Sequence, residues 1–187
     1  MKHKYTWQYH LHHPQWPSHT GRLRLEQNPG ETMQHLMMKA CSYFIFYHPQ
    51  LMIEQKTQQR HKPDLIRWDE SGAIVEWIDC GITHLKKLKR ITNINHSTMI
   101  TIVKKHVQEL DDYCTRAKAY VNRPERLQFQ SYQNGFIDHL SHHASQSAEL
   151  EVTVLADLDS AFMKYLYISM PNYDCKTEII WRFGVES

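Results

Sequence analysis

The stretch that decides the fold runs from Pro63 to Cys80 and reads PDLIRWDESGAIVEWIDC. Residues 64–68 and 73–80 are short apolar segments, and the residues DESG between them are of the types that form tight turns. Two strand-like segments on either side of such a turn are typical of a β-hairpin. The sequence therefore predicts an antiparallel hairpin over residues 64–80, ended by Gly81.

The residues that follow the hairpin predict a helix and then a buried strand. Thr83 is a suitable cap for a helix that reaches about residue 93, with apolar and basic residues on different sides. Residues 98–103, TMITIV, form a nearly continuous apolar run. Such a run is typical of a central strand that is covered on both faces.

The residues before the hairpin predict two strands and one long helix. Residues 4–11 alternate between apolar and polar types, and residues 21–25 alternate in the same way, which indicates half-buried strands. Residues 28–31, NPGE, have the types that start a helix, and apolar residues at helical spacing continue to about residue 47. A loop is expected over residues 12–18 and over 49–62.

The remaining chain continues the alternation of helices and strands. Helices are expected over 107–121 and 134–146, and strands over 126–132, 149–155, 163–170 and 178–183. Interleaved strands and helices with an early hairpin predict an α/β fold. We expect a single domain over residues 1–187, with a mixed central β-sheet flanked by helices.

Composition restricts the class of protein. The chain has 187 residues, 41% of them hydrophobic, and a formal net charge of +2, so bulk charge does not drive binding to polyanions and any nucleic-acid surface must be a local patch. We find no apolar run long enough to cross a membrane and no secretory signal. The four cysteines are widely separated. We therefore expect a reduced, cytoplasmic protein.

Two acids of the hairpin form the candidate site. Asp64 stands at the start of the first strand and Asp79 near the end of the second, on the same face as Trp77. A hairpin can bring the two carboxylates together, and such a pair suits Mg²⁺ or Mn²⁺, which could activate water against a phosphodiester. Lys86 could supply a nearby cation and Glu31 a further carboxylate. The alternative is that these acids are solvated or cap local structure.

Basic residues on the helix after the hairpin are the candidate nucleic-acid-binding residues. They are either a phosphate-binding patch or a solvated helix face, and the sequence leaves both open. They are Lys86, Lys87, Lys89 and Arg90.

Histidines near the amino terminus offer a weaker metal hypothesis. His10 and His12 would share one strand face, and with His3 or His19 they could bind Zn²⁺. An exposed strand edge rich in histidine is the alternative reading.

Several of these motifs resemble the bacterial YaeQ family. Residues 28–32, NPGET, are similar to that family's HPSET helix start, and residues 63–65, PDL, to its PDLW. The strand GAIVEWIDCG over residues 72–81 resembles one ending LWIEVG, and residues 150–154, LEVTV, resemble a late LQVT strand. Order and spacing match best from residue 20 to about residue 104.

The resemblance implies a PD-(D/E)XK restriction-endonuclease-like fold and a metal-dependent nuclease. By that resemblance Asp64 and Asp79 hold Mg²⁺ or Mn²⁺ with help from Glu31, and Lys86 replaces the superfamily's lysine, because Gly81 stands in its usual place. The substrate would be DNA or RNA.

This chain departs from the family at two positions. Asp79 stands where the family has Glu, and Ile82 where it typically has Gln. These departures weaken the expectation of catalysis. Two alternatives therefore stay open: a non-catalytic module on the same fold that binds nucleic acid or a protein, and an interaction protein whose acids are structural.

Overall fold

The computed structural model describes residues 2–157 and 162–185. These residues form ten β-strands and four α-helices. In chain order they are β1 (His3–His13), β2 (Trp16–Gln27), α1 (Met33–Ile45), β3 (Met52–Ile53), β4 (Leu65–Trp68), β5 (Ile74–Cys80), α2 (Leu85–Ile94), β6 (Met99–Val103), α3 (Val107–Tyr120), β7 (Leu127–Tyr132), α4 (Phe136–His143), β8 (Ser147–Ala156), β9 (Met163–Met170) and β10 (Tyr173–Phe183).

The chain divides into two compact units. The first comprises Met1–Tyr47 and Tyr132–Ile179, and the second His48–Ser131 and Ile180–Ser187. Both contain parallel and antiparallel strand pairs together with helices, so the predicted α/β class with mixed sheets is confirmed. A single domain over residues 1–187 stays a prediction.

The first unit has strand order β2-β1-β8-β9-β10. Strand β1 pairs antiparallel with β2 and parallel with β8, and β9 continues antiparallel from β8. The predicted alternation of β1 is confirmed, because Tyr5, Trp7, Tyr9 and Leu11 are buried. Helix α1 packs on this unit and contacts α4, β2, β8 and β9.

The second unit has strand order β7-β6-β5-β4-β3. The predicted hairpin is present as β4 and β5, and β6 and β7 follow as parallel neighbours of β5. Helices α2 and α3 pack on these strands over a hydrophobic cluster that includes Trp77, Ile102 and Phe129. Ile100, Ile102 and Val103 of β6 are buried as expected.

Several boundaries differ from the sequence-based expectation. Residues 28–31 form a β-turn rather than a helix start: Glu31 N–H donates to the Asn28 carbonyl, and Gly30 at φ +83° takes the turn's left-handed position after a proline. Helix α1 begins at Met33, capped by the Thr32 hydroxyl.

The other differences concern a helix cap, a loop and the start of a strand. His84 rather than Thr83 precedes α2, and its side chain makes no capping hydrogen bond. The loop expected over residues 12–18 is shorter, because β1 and β2 pair almost to their turn, with His13 opposite Trp16. Strand β10 likewise begins at Tyr173, before the predicted residue 178, because it pairs with β9 from its first residue.

Candidate functional site

The hairpin brings Asp64 and Asp79 side by side. Leu65 pairs with Ile78 and Ile66 with Trp77, and Asp64 directly precedes these pairs, close enough to Asp79 for the two charges to interact. The Asp64 N–H donates to the Ile78 carbonyl at 3.0 Å, which holds Asp64 at this end of the hairpin. The predicted neighbourhood of the two acids is therefore present in the structure.

Asp79 is a buried carboxylate with two specific partners. Its Oδ1 accepts a hydrogen bond from the indole N–H of Trp77 at 3.0 Å, and its Oδ2 lies 2.6 Å from the ammonium nitrogen of Lys87. Burial raises the pKa of the Asp79 carboxyl, Lys87 opposes that rise, and the nearby charge of Asp64 adds to it. The cation at this acid is thus Lys87, whereas the sequence had favoured its neighbour Lys86.

Asp64 has a structural partner of its own. Its Oδ2 accepts the backbone N–H of Cys80 at 2.7 Å. A charge-assisted hydrogen bond of this kind fixes the end of β5, where the chain leaves the sheet through Gly81. Gly81 itself has φ +75°, and its N–H donates to the Val103 carbonyl at the end of β6.

These contacts test whether a divalent ion suits the pair. Mg²⁺ needs oxygen ligands at about 2.1 Å in near-octahedral geometry. The Oδ1 of Asp79 accepts the Trp77 indole N–H, and the ammonium group of Lys87 lies against its Oδ2 and balances its charge. As arranged, the two acids do not fit Mg²⁺ or Mn²⁺, and the predicted metal site stays a prediction.

Glu31, the third predicted acid, belongs to the first unit. Its carboxylate contacts the ammonium group of Lys39, which is buried, and the ring of His35 at 3.5 Å. It also accepts the N–H of Asn28 at 2.8 Å. Within its own unit Glu31 therefore balances a buried lysine and closes the turn before α1.

Lys86 lies in a groove at the carboxyl ends of β5 and β6. This groove, which we call the basic groove, encloses a cavity of about 700 Å³. In open α/β sheets, the carboxyl ends of parallel strands are the usual place for a ligand. The residues that line it come from the start of α2, the end of β6 and one face of α3: Ile82, Thr83, His84, Leu85, Lys86, Lys104, Tyr113, Arg116 and Tyr120.

Lys104 and Tyr113 form the floor of the basic groove. The ammonium group of Lys104 donates to the Gly81 carbonyl at 2.5 Å and lies 4.3 Å from the centre of the Tyr113 ring. Burial lowers the pKa of Lys104, and Arg116 lowers it further, while Glu109 and Asp79 oppose the shift. Burial also raises the pKa of Tyr113. A cation kept in place at a partly dehydrated site is well suited to meeting an anion.

Two buried hydroxyl groups of the basic groove have no hydrogen-bond partner among the described residues. They belong to Thr83, with 3% of its surface exposed, and Tyr113, with 5%. Leaving such groups unpaired costs about 1–3 kcal/mol each, so a molecule that enters the groove gains by accepting hydrogen bonds from them. Both can donate a hydrogen bond to an anion.

The surface around the basic groove is cationic and partly aromatic. From Cys80 to Gln108 the chain has six lysines and arginines and no acidic residue. The Lys89 ammonium group lies 5.0 Å from the centre of the Tyr120 ring. The same charges affect His61. Burial lowers the pKa of its imidazole, and the charges of Lys87 and Arg90 lower that pKa further.

The predicted basic residues thus divide into different roles. Lys86 lines the basic groove, Lys89 covers Tyr120, Lys87 pairs with Asp79, and Arg90 is exposed. The sequence reasoning missed Lys104, Tyr113 and Arg116. Lys104 could have been found from its position directly after a predicted parallel strand, but the two α3 residues carry no local signal.

The amino-terminal histidines are the last predicted group. His10 and His12 share a face of β1 as expected, with ring centres 4.4 Å apart. His19 pairs with Leu11 and therefore lies on the opposite face, as does His3 by the alternation of β1. The suggested third ligands His3 and His19 are therefore wrong, and Glu151 contacts His10 instead.

Fold and site together define an α/β protein with mixed sheets, an adjacent acid pair and a basic groove beside it. The family model described as YaeQ protein matches residues 15–164, and the chain belongs to the YaeQ family.

Two solved structures have a similar fold. The YaeQ protein from Xanthomonas axonopodis pv. citri matches with a TM-score of 0.81 at 15% identity, over 98% of this chain and 99% of that one. The YaeQ protein from Pseudomonas syringae matches with a TM-score of 0.78 at 11% identity, over 96% of this chain and 95% of that one. A comparison with curated proteins finds no match. None of the helices in the described part of the chain is long and apolar enough to cross a membrane.

Proposed function

We propose that this protein binds nucleic acid through the basic groove without cutting it. The observation that carries the proposal is the convergence of Lys86, Lys104 and Arg116 with the unpaired hydroxyls of Thr83 and Tyr113 in one cavity. Cations together with hydroxyl donors are the groups that proteins use to hold phosphate oxygens. Because the net charge of the whole chain is small, attraction of a polyanion depends on this local concentration of cations.

Each lining group would have a distinct part in binding. Lys86 and Arg116 meet phosphates from the rim, and Lys104 approaches from the floor. The start of α2 adds partial positive charge from its first backbone N–H groups, which the His84 side chain does not cap. Tyr120, 37% exposed, offers an aromatic face on which a base of a single strand can stack.

The acid pair then has a supporting role. Asp79 holds Lys87, and Asp64 holds the Cys80 amide. These bonds fix the two ends of the segment that carries Gly81 to Lys86, which forms one wall of the basic groove. Neutralising Lys87 also leaves Lys86, Lys104 and Arg116 as the cations that face a bound phosphate.

A second candidate is the metal-dependent nuclease of PD-(D/E)XK type. It is favoured by the nearness of Asp64 to Asp79 next to the basic groove, and by the chain order of α1, the hairpin, α2 and β6. Hydrolysis with Mg²⁺ requires Lys87 to leave Asp79. Cleavage of DNA or RNA that depends on Mg²⁺ or Mn²⁺ and is lost in Asp79→Asn would establish this candidate in place of the first.

Charge reversal at matched positions of α3 tests the binding proposal. Arg116 lines the basic groove, whereas Lys118, two residues later, does not. We expect Arg116→Glu and Lys86→Glu each to weaken binding to fluorescently labelled oligonucleotides about tenfold or more, and Lys118→Glu to have little effect. Fluorescence anisotropy at low salt, with single- and double-stranded DNA and RNA, measures this. The absence of binding, or an equal loss in Lys118→Glu, would reject the proposal.

A further inference from the structure

The exposed face of β1 and β8 carries three metal-ligating side chains. His10 and His12 lie two residues apart on β1, and Glu151 lies directly opposite His10 on the parallel neighbour β8. The three residues each offer one ligand atom, and these atoms lie within 4.8 Å of one another. All three belong to the first unit, so this cluster is separate from the basic groove.

We propose that His10, His12 and Glu151 bind one Zn²⁺ ion. Zn²⁺ accepts imidazole nitrogen and carboxylate oxygen at about 2.0–2.2 Å in tetrahedral geometry, which places neighbouring ligand atoms roughly 3.3 Å apart. The Nδ1 of His10 lies 3.2 Å from the Oε2 of Glu151, so one edge of the tetrahedron is already formed. The ligand atom of His12 lies within 4.8 Å of those of His10 and Glu151, beside the same position.

A neighbouring hydroxyl group orients the second histidine. The Nδ1 of His12 contacts the Oγ of Ser18, on strand β2, at 2.8 Å. Metal-binding histidines commonly use one ring nitrogen for the ion and the other for such a partner. We therefore assign the Nε2 of His12 to the metal, and Ser18 to positioning its ring.

The ligand set selects the metal and leaves one position open. Two imidazoles and one carboxylate favour Zn²⁺ over Mg²⁺ or Ca²⁺, which prefer ligand sets made only of oxygen. His10 and Glu151 also line a surface cavity of about 420 Å³, from which water can take the fourth position. The ion would join β1 to β8, which belong to segments of the chain more than a hundred residues apart.

The test is zinc binding by the full, tag-free, metal-free chain. Isothermal titration with ZnCl₂ should give one equivalent of tight binding, with a rise in the melting temperature, and MgCl₂ should give neither. His10→Ala and His12→Ala should each weaken Zn²⁺ binding at least about tenfold, and Glu151→Gln should also weaken it. His142→Ala is the matched control, since His142 is an exposed histidine on α4 of the same unit.

Two results would overturn the proposal. One is a zinc affinity in the His10→Ala/His12→Ala double variant equal to that of the unaltered chain. The other uses no variant: the imidazole NMR signals of His10 and His12 stay unmoved when one equivalent of Zn²⁺ is added to the unaltered protein.

Discussion

The ammonium nitrogen of Lys87 lies 2.6 Å from the Oδ2 of Asp79, a carboxylate that is almost completely buried. The pair joins the first turn of α2 to the end of β5. The acid that the family resemblance assigns to a metal ion is therefore balanced by a side chain of the protein itself.

Breaking the ion pair from the lysine side should destabilise the protein. Lys87→Met leaves the Asp79 carboxylate buried without its counter-charge, and we expect the free energy of unfolding to fall by about 2 kcal/mol. Lys86→Met, at the exposed neighbouring position, should change it by less than about 0.5 kcal/mol. Urea denaturation of the two variants measures the difference in the free energy of unfolding. Equal losses in both would show that the ion pair between Lys87 and Asp79 does not stabilise the fold.

Replacing Asp79 should change how the free energy of unfolding depends on pH. The pKa of Asp79 is raised in the folded protein, chiefly by burial. A raised folded pKa means that this group's contribution to stability is complete below its unfolded pKa of about 3.9 and is lost as pH rises through the folded pKa. The unaltered protein should therefore lose stability relative to Asp79→Asn as pH rises from about 4 upward. Denaturation of both proteins across this range checks the sign; a difference that is flat or grows in the opposite direction contradicts it.

The nuclease candidate can be tested by freeing the acid pair. In the unaltered chain, Lys87 competes with a metal ion for Asp79, so Mg²⁺ and Mn²⁺ should leave the melting temperature unchanged. If a latent metal site exists, Lys87→Met should show stabilisation by Mn²⁺ that is absent from Lys87→Met/Asp79→Asn. Thermal unfolding with and without Mn²⁺ reads this out. Mn²⁺-dependent stabilisation of the unaltered chain, lost in Asp79→Asn, would contradict our reading of the ion pair.

Tyr120 should contribute to binding of single strands in particular. Stacking of a base on an aromatic side chain is worth about 1–3 kcal/mol, so Tyr120→Leu should weaken single-strand binding about tenfold and duplex binding much less. Tyr165 is the matched control, because a lysine, Lys164, also lies over its ring but it does not line the basic groove. Anisotropy with both kinds of oligonucleotide measures the contrast, and similar losses in Tyr120→Leu and Tyr165→Leu would remove the stacking role.

The sequence predicted the elements well because their patterns are local. The hairpin of residues 64–80 follows from two apolar runs around a turn, and the nearness of Asp64 to Asp79 follows from that hairpin. The beginning of α1 was misplaced because NPGE contains good helix-start residues that also suit a type II turn, and the φ of Gly30 decides between the two.

The composition of the site was harder to predict, because it depends on contacts between distant segments. The sequence placed the cation that accompanies the acid pair on α2. Which lysine of α2 meets Asp79 depends on the rotation of the helix about its axis, and the structure shows that it is Lys87 rather than Lys86. Tyr113 and Arg116 reach the basic groove through the packing of α3, and Glu151 reaches His10 through a parallel pairing of β1 with β8. None of these contacts corresponds to a residue spacing that can be recognised in the sequence.

The salt dependence of nucleic-acid binding tests the central claim most directly. If Lys86 and Arg116 meet phosphates, the slope of log affinity against log salt concentration should flatten in Lys86→Gln/Arg116→Gln by about 0.7 per contact on single strands, or about 0.9 on duplex DNA. Lys118→Gln should keep the slope of the unaltered protein. A slope that is the same in all three proteins, or no binding at low salt, would contradict the assignment of the basic groove to nucleic acid.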